Sequence, residues 1–111
     1  RSWKRLKSLR VALSSVGDEF LANAAPWPEL EKLALYNTRV GDRGVAHLRK
    51  CPKLADLHLG ETAVTDEALT HLAGIPTLKK LTVYRTKVTA DGVAKFRAAR
   101  PDCAIVTNEA P

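Results

Sequence analysis

Asp56, His58 and Glu61 are the residues whose types and spacing come closest to acid–base chemistry. An imidazole beside a carboxylate can relay a proton, with the carboxylate holding the ring in one tautomer. Asp56 and His58 stand two apart, so on a strand they share a face and can pair. Catalysis also asks for a nucleophile, a phosphate-cradling loop or a metal set. None of these accompanies them, so no catalytic residue is assigned and an enzyme centred on Asp56 and His58 is a remote alternative. Cys51 and Cys103 show no ligand spacing with His47, His58 or His71, so neither a metal nor a cofactor is expected. A second chemistry is recognition: Tyr36 and Tyr84 are amphipathic rings accompanied by Lys32, Lys80, Arg85 and Arg10.

These residues sit in a chain of 111, which is room for one domain. Charged residues make up 27% and apolar ones 45%, a balance that fits a globular protein and argues against disorder or collagen. No apolar run approaches the ~20 residues of a membrane-spanning helix, so no membrane insertion is expected. The net charge of +6 raises the prospect of a polyanion partner, but its distribution is uneven. Residues 1–27 carry +3, 28–51 carry +2, 52–75 carry −3 and 76–100 carry +6, so an acidic block interrupts the basic ones. Aromatics are only 5%. The chain begins at Arg1 and has no methionine, which leads us to expect a processed or excised segment.

What positions the candidate residues is an internal repeat. Residues 28–51, 52–75 and 76–99 align without gaps at a period of 24, and 4–27 aligns with them. Leucines recur as Leu6, Leu30, Leu54, Leu78 and as Leu9, Leu33, Leu57, Leu81. Val11, Leu35, Leu59 and Val83 make a third column, followed by a hydroxyl column of Ser14, Thr38, Thr62 and Thr86 and then Val16, Val40, Val64 and Val88. Arg100 reads as one inserted residue, after which Cys103 falls in the first leucine column and Val106 in the second. Segments such as Leu33-Ala34-Leu35 have period two and predict a short strand. The hydroxyl column is expected to satisfy loop amides. Thr65 and Thr89, each followed by acids, predict helix N-caps. Small residues at Gly44, Ala68 and Gly92 predict close helix–strand approach, and Pro28, Pro52, Pro76 and Pro101 close each helix. Stacked strands favour medium-sized side chains over large rings. Cys51 reads as a buried filler, out of disulfide reach of Cys103.

The block L-x-x-L-x-L-x-x-T-x-V-T-D-x-A-L-x-x-L, as in residues 54–72, resembles the leucine-rich repeats of bacterial, planctomycete-type proteins. It is also similar to ribonuclease-inhibitor-like and F-box-associated repeats, which place cysteine where this chain has threonine. The resemblance covers residues 4–106, and the ending from Phe96 to Ile105 is similar to the usual close of such bacterial arrays. It implies an α/β fold: a right-handed leucine-rich-repeat solenoid with a short parallel sheet on the concave side and short helices on the convex side. It implies one domain over 1–111, with repeats 4–27, 28–51, 52–75 and 76–100, a closing strand 101–107 and a tail 108–111.

Solenoids of this kind bind through the exposed strand side chains. Resemblance and alternation together put Tyr36 and Tyr84 in one exposed column, two repeats or ~10 Å apart. Asp56, His58 and Glu61 fall between them, with Lys32, Lys80, Arg85 and Arg10 around. This mixed patch implies a non-catalytic module for a protein or peptide partner, or a structural subunit of a larger assembly. The first strand has no polar cap before it, so a neighbouring subunit or upstream repeats are expected to cover it, with Trp3 a candidate lid. The alternative partner is a nucleic acid or other polyanion on the basic first and fourth repeats; the convex helix face, with Arg43, His47, Arg49 and Lys50 beside Lys95, Arg97 and Arg100, is a further candidate site.

Overall fold

In a computed structural model the chain forms α/β layers, and the structure describes residues 5–10, 17–24 and 27–107. Five three-residue strands, β1 (Ser8–Arg10), β2 (Lys32–Ala34), β3 (Asp56–His58), β4 (Lys80–Thr82) and β5 (Ala104–Val106), form one parallel sheet in sequence order. Between them lie helices α1 (Asp18–Ala24), α2 (Asp42–Ala46), α3 (Asp66–Ala73) and α4 (Ala90–Ala99), each packed on the next. The register keeps the 24-residue period throughout: Leu9, Leu33, Leu57, Leu81 and Ile105 pair strand to strand. Trp3, Val11, Ser14, Val16 and the tail 108–111 lie outside the described residues.

Each three-residue strand is too short to hold itself, so stability comes from the stacked interior. Leu30, Leu54 and Leu78, Leu33, Leu57 and Leu81, and Leu35, Leu59 and Val83 are all buried, as are Val40 and Val64. Cys51 is buried among them with its thiol free. Two rings enter this core: Trp27, which packs on Phe20 at 6.0 Å between centroids, and Phe96 in the last helix.

The hydroxyl column behaves as a set of turn clamps. Thr38, Thr62 and Thr86 donate to the carbonyls of Leu35, Leu59 and Val83 at 2.7–2.9 Å. Thr38 and Thr86 also accept, at longer range, from the amides of Val40 and Val88. Thr65 and Thr89 cap α3 and α4 through the amides of Glu67 and Gly92, whereas Gly41 offers α2 no side chain. That helix is five residues long and continues as a 3-10 turn, His47–Lys50.

Three expectations need correction. Gly44 and Gly92 make room for a neighbouring carboxylate rather than for a strand: a Cβ at either would collide with Asp18 or Asp66 of the preceding turn. Those aspartates form a ladder with Asp42, accepting from the amides of Gly41, Thr65 and Thr89 and from the two threonine hydroxyls. The closing strand runs one residue out of the expected phase. Ile105 pairs with Leu81, and Val106 is 41% exposed. Cys103 is nevertheless buried, so the extra residue before it is taken up between Cys103 and Ile105. Arg100 is the third case. It is buried, donates to the carbonyls of Ile75 and Leu78 at 2.7 Å, and forms a two-point pair with Asp102 at 3.1 Å. Asp102 holds the guanidinium charged, and the guanidinium holds Asp102 below the usual carboxylate range.

Candidate functional site

The exposed face of the sheet is laid out by the strand register. Its first row is Ser8, Lys32, Asp56, Lys80 and Ala104, and its second is Arg10, Ala34, His58, Thr82 and Val106. Beyond the strands come Tyr36, Gly60 and Tyr84, at the start of each turn. The next residues, Asn37, Glu61 and Arg85, have φ of 57°, 56° and 55°. Asparagine tolerates this left-handed backbone, but for Glu61 and Arg85 it costs ~1 kcal/mol each.

Interactions around Glu61 hold that backbone in place. Tyr36 Oη donates to Glu61 Oε2 at 3.0 Å and Arg85 Nη1 donates to the same oxygen at 2.7 Å. The guanidinium and the phenol together depress the Glu61 pKa, and the carboxylate raises those of Tyr36 and Arg85. The exposed position of this ion pair keeps its contribution to stability small. Its effect is orientational, because it fixes the Tyr36 ring and the turn that carries Glu61.

The tyrosines do not stand ~10 Å apart as their columns suggest. Their ring centroids are 6.3 Å apart, and His58 completes a triangle with them, nearly perpendicular to each ring at 5.6 Å from Tyr36 and 5.3 Å from Tyr84. Gly60 permits this. A Cβ there would lie 2.6 Å from His58 Cε1 and 2.9 Å from Tyr84 Cζ. The backbones keep their strand register while the His58 and Tyr84 rings lean over the missing side chain. The pair Asp56–His58 also differs from expectation. His58 Nδ1 accepts from the Gly60 amide at 3.1 Å, and no hydrogen bond joins it to Asp56. Burial lowers the His58 pKa, and the Asp56 charge opposes that through space. An Nδ1 that accepts an amide proton is unprotonated, so the ring is a neutral Nε2–H tautomer.

The structure therefore brings together Tyr36, His58, Glu61, Tyr84 and Arg85. It leaves Lys32, Asp56 and Lys80 in a separate row and Arg10 on the edge strand. Gly60 is the member that residue chemistry overlooks; the signal is a glycine between two tyrosines in one column. Cys51 and Cys103 carry free, buried thiols whose pKa values burial raises. Among the described residues no three His, Cys, Asp or Glu side chains gather as metal ligands, and no helix is long and apolar enough to cross a membrane.

On the helix side, Arg43 on α2, Arg49 and Lys50 on the 3-10 turn after it, and Lys95 and Arg97 on α4 are exposed. Helix α3, with Asp66 and Glu67 in its first turn, packs between α2 and α4. Arg100 does not belong to this patch, being buried in the closing turn. A groove of about 380 Å³ between α3 and α4 is lined by Asp66, Leu69, Asp91, Lys95 and Phe96, and none of the sheet-face residues borders it. No family model matches this chain, and a search of the curated proteins finds no match.

Proposed function

We propose that the chain is a right-handed leucine-rich-repeat solenoid, with its sheet on the concave side and its helices on the convex side. It works as a non-catalytic protein-interaction module, alone or as a structural subunit of a larger assembly, and its partner docks on the sheet face. The observation that carries this reading is the packed trio of Tyr36, His58 and Tyr84 over Gly60. Mutually packed rings lose little freedom on binding, and tyrosine offers apolar area together with a polar tip. Strained backbone at Glu61 and Arg85, beside the rings, is the kind of cost that clusters at functional sites.

The same geometry favours binding over catalysis. His58 has its Nδ1 engaged by a backbone amide and its ring faced by two tyrosines, with no nucleophile in hydrogen-bond contact. The test is affinity capture from the native source by the wild-type chain and by a Tyr36→Ala/Tyr84→Ala variant whose circular dichroism is unchanged. A partner retained by the first and lost by the second is expected. Equal retention by both refutes the sheet-face reading.

A further inference from the structure

We infer that the sheet face recognises an acidic peptide segment that carries an apolar side chain several residues from its carboxylates. This deepens the proposed function and rests on its sheet-face reading. The argument is charge complementarity read row by row. Glu61 is occupied by Arg85 and by the Tyr36 hydroxyl, so that carboxylate has little left to offer a ligand. His58 is neutral. Arg10, Lys32 and Lys80 are exposed and make no ion pair among the described residues. Asp56 is the one carboxylate in the row of Lys32 and Lys80, in register with Lys32 on one side and Lys80 on the other. One carboxylate between two ammonium groups leaves that row cationic, and Arg10 adds a guanidinium at the edge of the next row.

Spacing then sets the form of the ligand. Lys32 and Lys80 are two strands apart, ~10 Å, and the tyrosines stand four residues further along the chain, ~13 Å at strand rise. Between them lie half-buried Ala34, His58 of the trio and buried Thr82, in one row. A segment crossing this face meets lysines at one end and rings at the other. Carboxylates suit the first and a leucine, phenylalanine or tyrosine side chain the second. A nucleic acid suits it less well. Its phosphates recur along the whole strand, whereas Lys32 and Lys80 stand at one end here and the Arg85 charge at the other is taken up by Glu61. Base stacking needs open ring faces, and each tyrosine is packed against the other and against His58 at 82°.

The probe is a fluorescein-labelled copolymer of glutamate and tyrosine, followed by anisotropy, with polyglutamate and oligothymidylate as comparisons. The copolymer is expected to bind at low salt and to weaken as salt rises. Polyglutamate and oligothymidylate are expected to bind at least about fivefold less tightly, lacking the side chain or the shape that the rings select. Lys32→Ala/Lys80→Ala, at exposed positions, is expected to cost about fivefold and to flatten the salt dependence. Tyr36→Ala/Tyr84→Ala is expected to reduce the copolymer to the polyglutamate level. Three results overturn the inference: no copolymer binding, oligothymidylate binding as tightly as the copolymer, or polyglutamate binding as tightly as the copolymer. If one of these occurs while capture of the native partner still depends on the tyrosines, only the acidic-peptide inference falls. If tyrosine dependence is absent from both experiments, the sheet-face reading falls with it.

Discussion

Gly60→Ala separates the geometry of the aromatic trio from its composition, since it deletes no ring. The added Cβ is placed 2.6 Å from His58 Cε1, 2.9 Å from Tyr84 Cζ and 3.0 Å from Tyr84 Cε1. All three are ring atoms on a half-exposed face, so the rings can swing away while the backbone stays. What is lost is the pair of edge-on His58 contacts, worth ~0.5–1.5 kcal/mol each, and the Gly60 amide bond to Nδ1, worth ~1 kcal/mol. Opposing this, Gly60 does not have positive φ. Alanine is therefore allowed there and stabilises by ~0.4–1 kcal/mol through the unfolded chain. The net cost is ~1–3 kcal/mol, a fall in Tm of roughly 5–20 °C for a domain of this size. The sharper readout is NOESY: cross-peaks between the Tyr36 and Tyr84 rings, whose centroids lie 6.3 Å apart, should weaken or vanish. Affinity for the glutamate–tyrosine copolymer should fall with them. Undiminished ring–ring cross-peaks in the variant would refute the claim that the missing Cβ is what lets the tyrosines close.

The remaining predictions concern the core, the ladder and the histidine. Leu57 is fully buried in the middle strand, so Leu57→Ala should cost ~2–5 kcal/mol; a Tm within a degree or two of wild type would place it outside the core. Asp42→Ala removes the acceptor of the Thr65 amide and hydroxyl at 2.8 and 2.6 Å and should cost ~1–3 kcal/mol by urea titration, whereas no change would mean that water replaces the ladder rung without loss. His58 should titrate below the reference value of 6.5, because burial disfavours its charged form. Its contribution to stability is therefore fully present above pH 6.5 and is lost as pH falls through its lower, folded-state pKa. An imidazole Cε1–H midpoint at or above 6.5 would contradict this.

Repetition is what made the sheet readable from residues alone. A leucine recurring every 24 positions fixes both strand register and inward face, because a one-residue slip would turn every buried side chain outward. The pairing of Leu9, Leu33, Leu57 and Leu81 follows directly. Where the period is interrupted, at Arg100, the reading slipped by one residue, and Ile105 rather than Val106 faces Leu81. Periodicity reports which position a residue occupies and not how a turn absorbs an extra one. Arg100 shows the same limit from another side. Composition marks an arginine as surface charge, yet here two carbonyls of the turn before β4, of Ile75 and Leu78, accept from a guanidinium paired with Asp102.

The candidate site divides along the same line. Its columns were legible: Tyr36 and Tyr84 do share one, with Gly60 between. Its geometry was not, because strand spacing sets where backbones stand and says nothing of where rings lean. The tyrosines closed from an expected ~10 Å to 6.3 Å through the absence of a side chain, and an absence carries no hydropathy or charge to detect. Alternation places His58 and Asp56 on one face, where they are expected to be able to pair. The nearer partner is the amide two residues on, at Gly60, an interaction that the turn creates and the strand pattern does not contain. The second departure takes His58 out of a pair with Asp56 and into a packed surface, which supports the recognition proposed for this face.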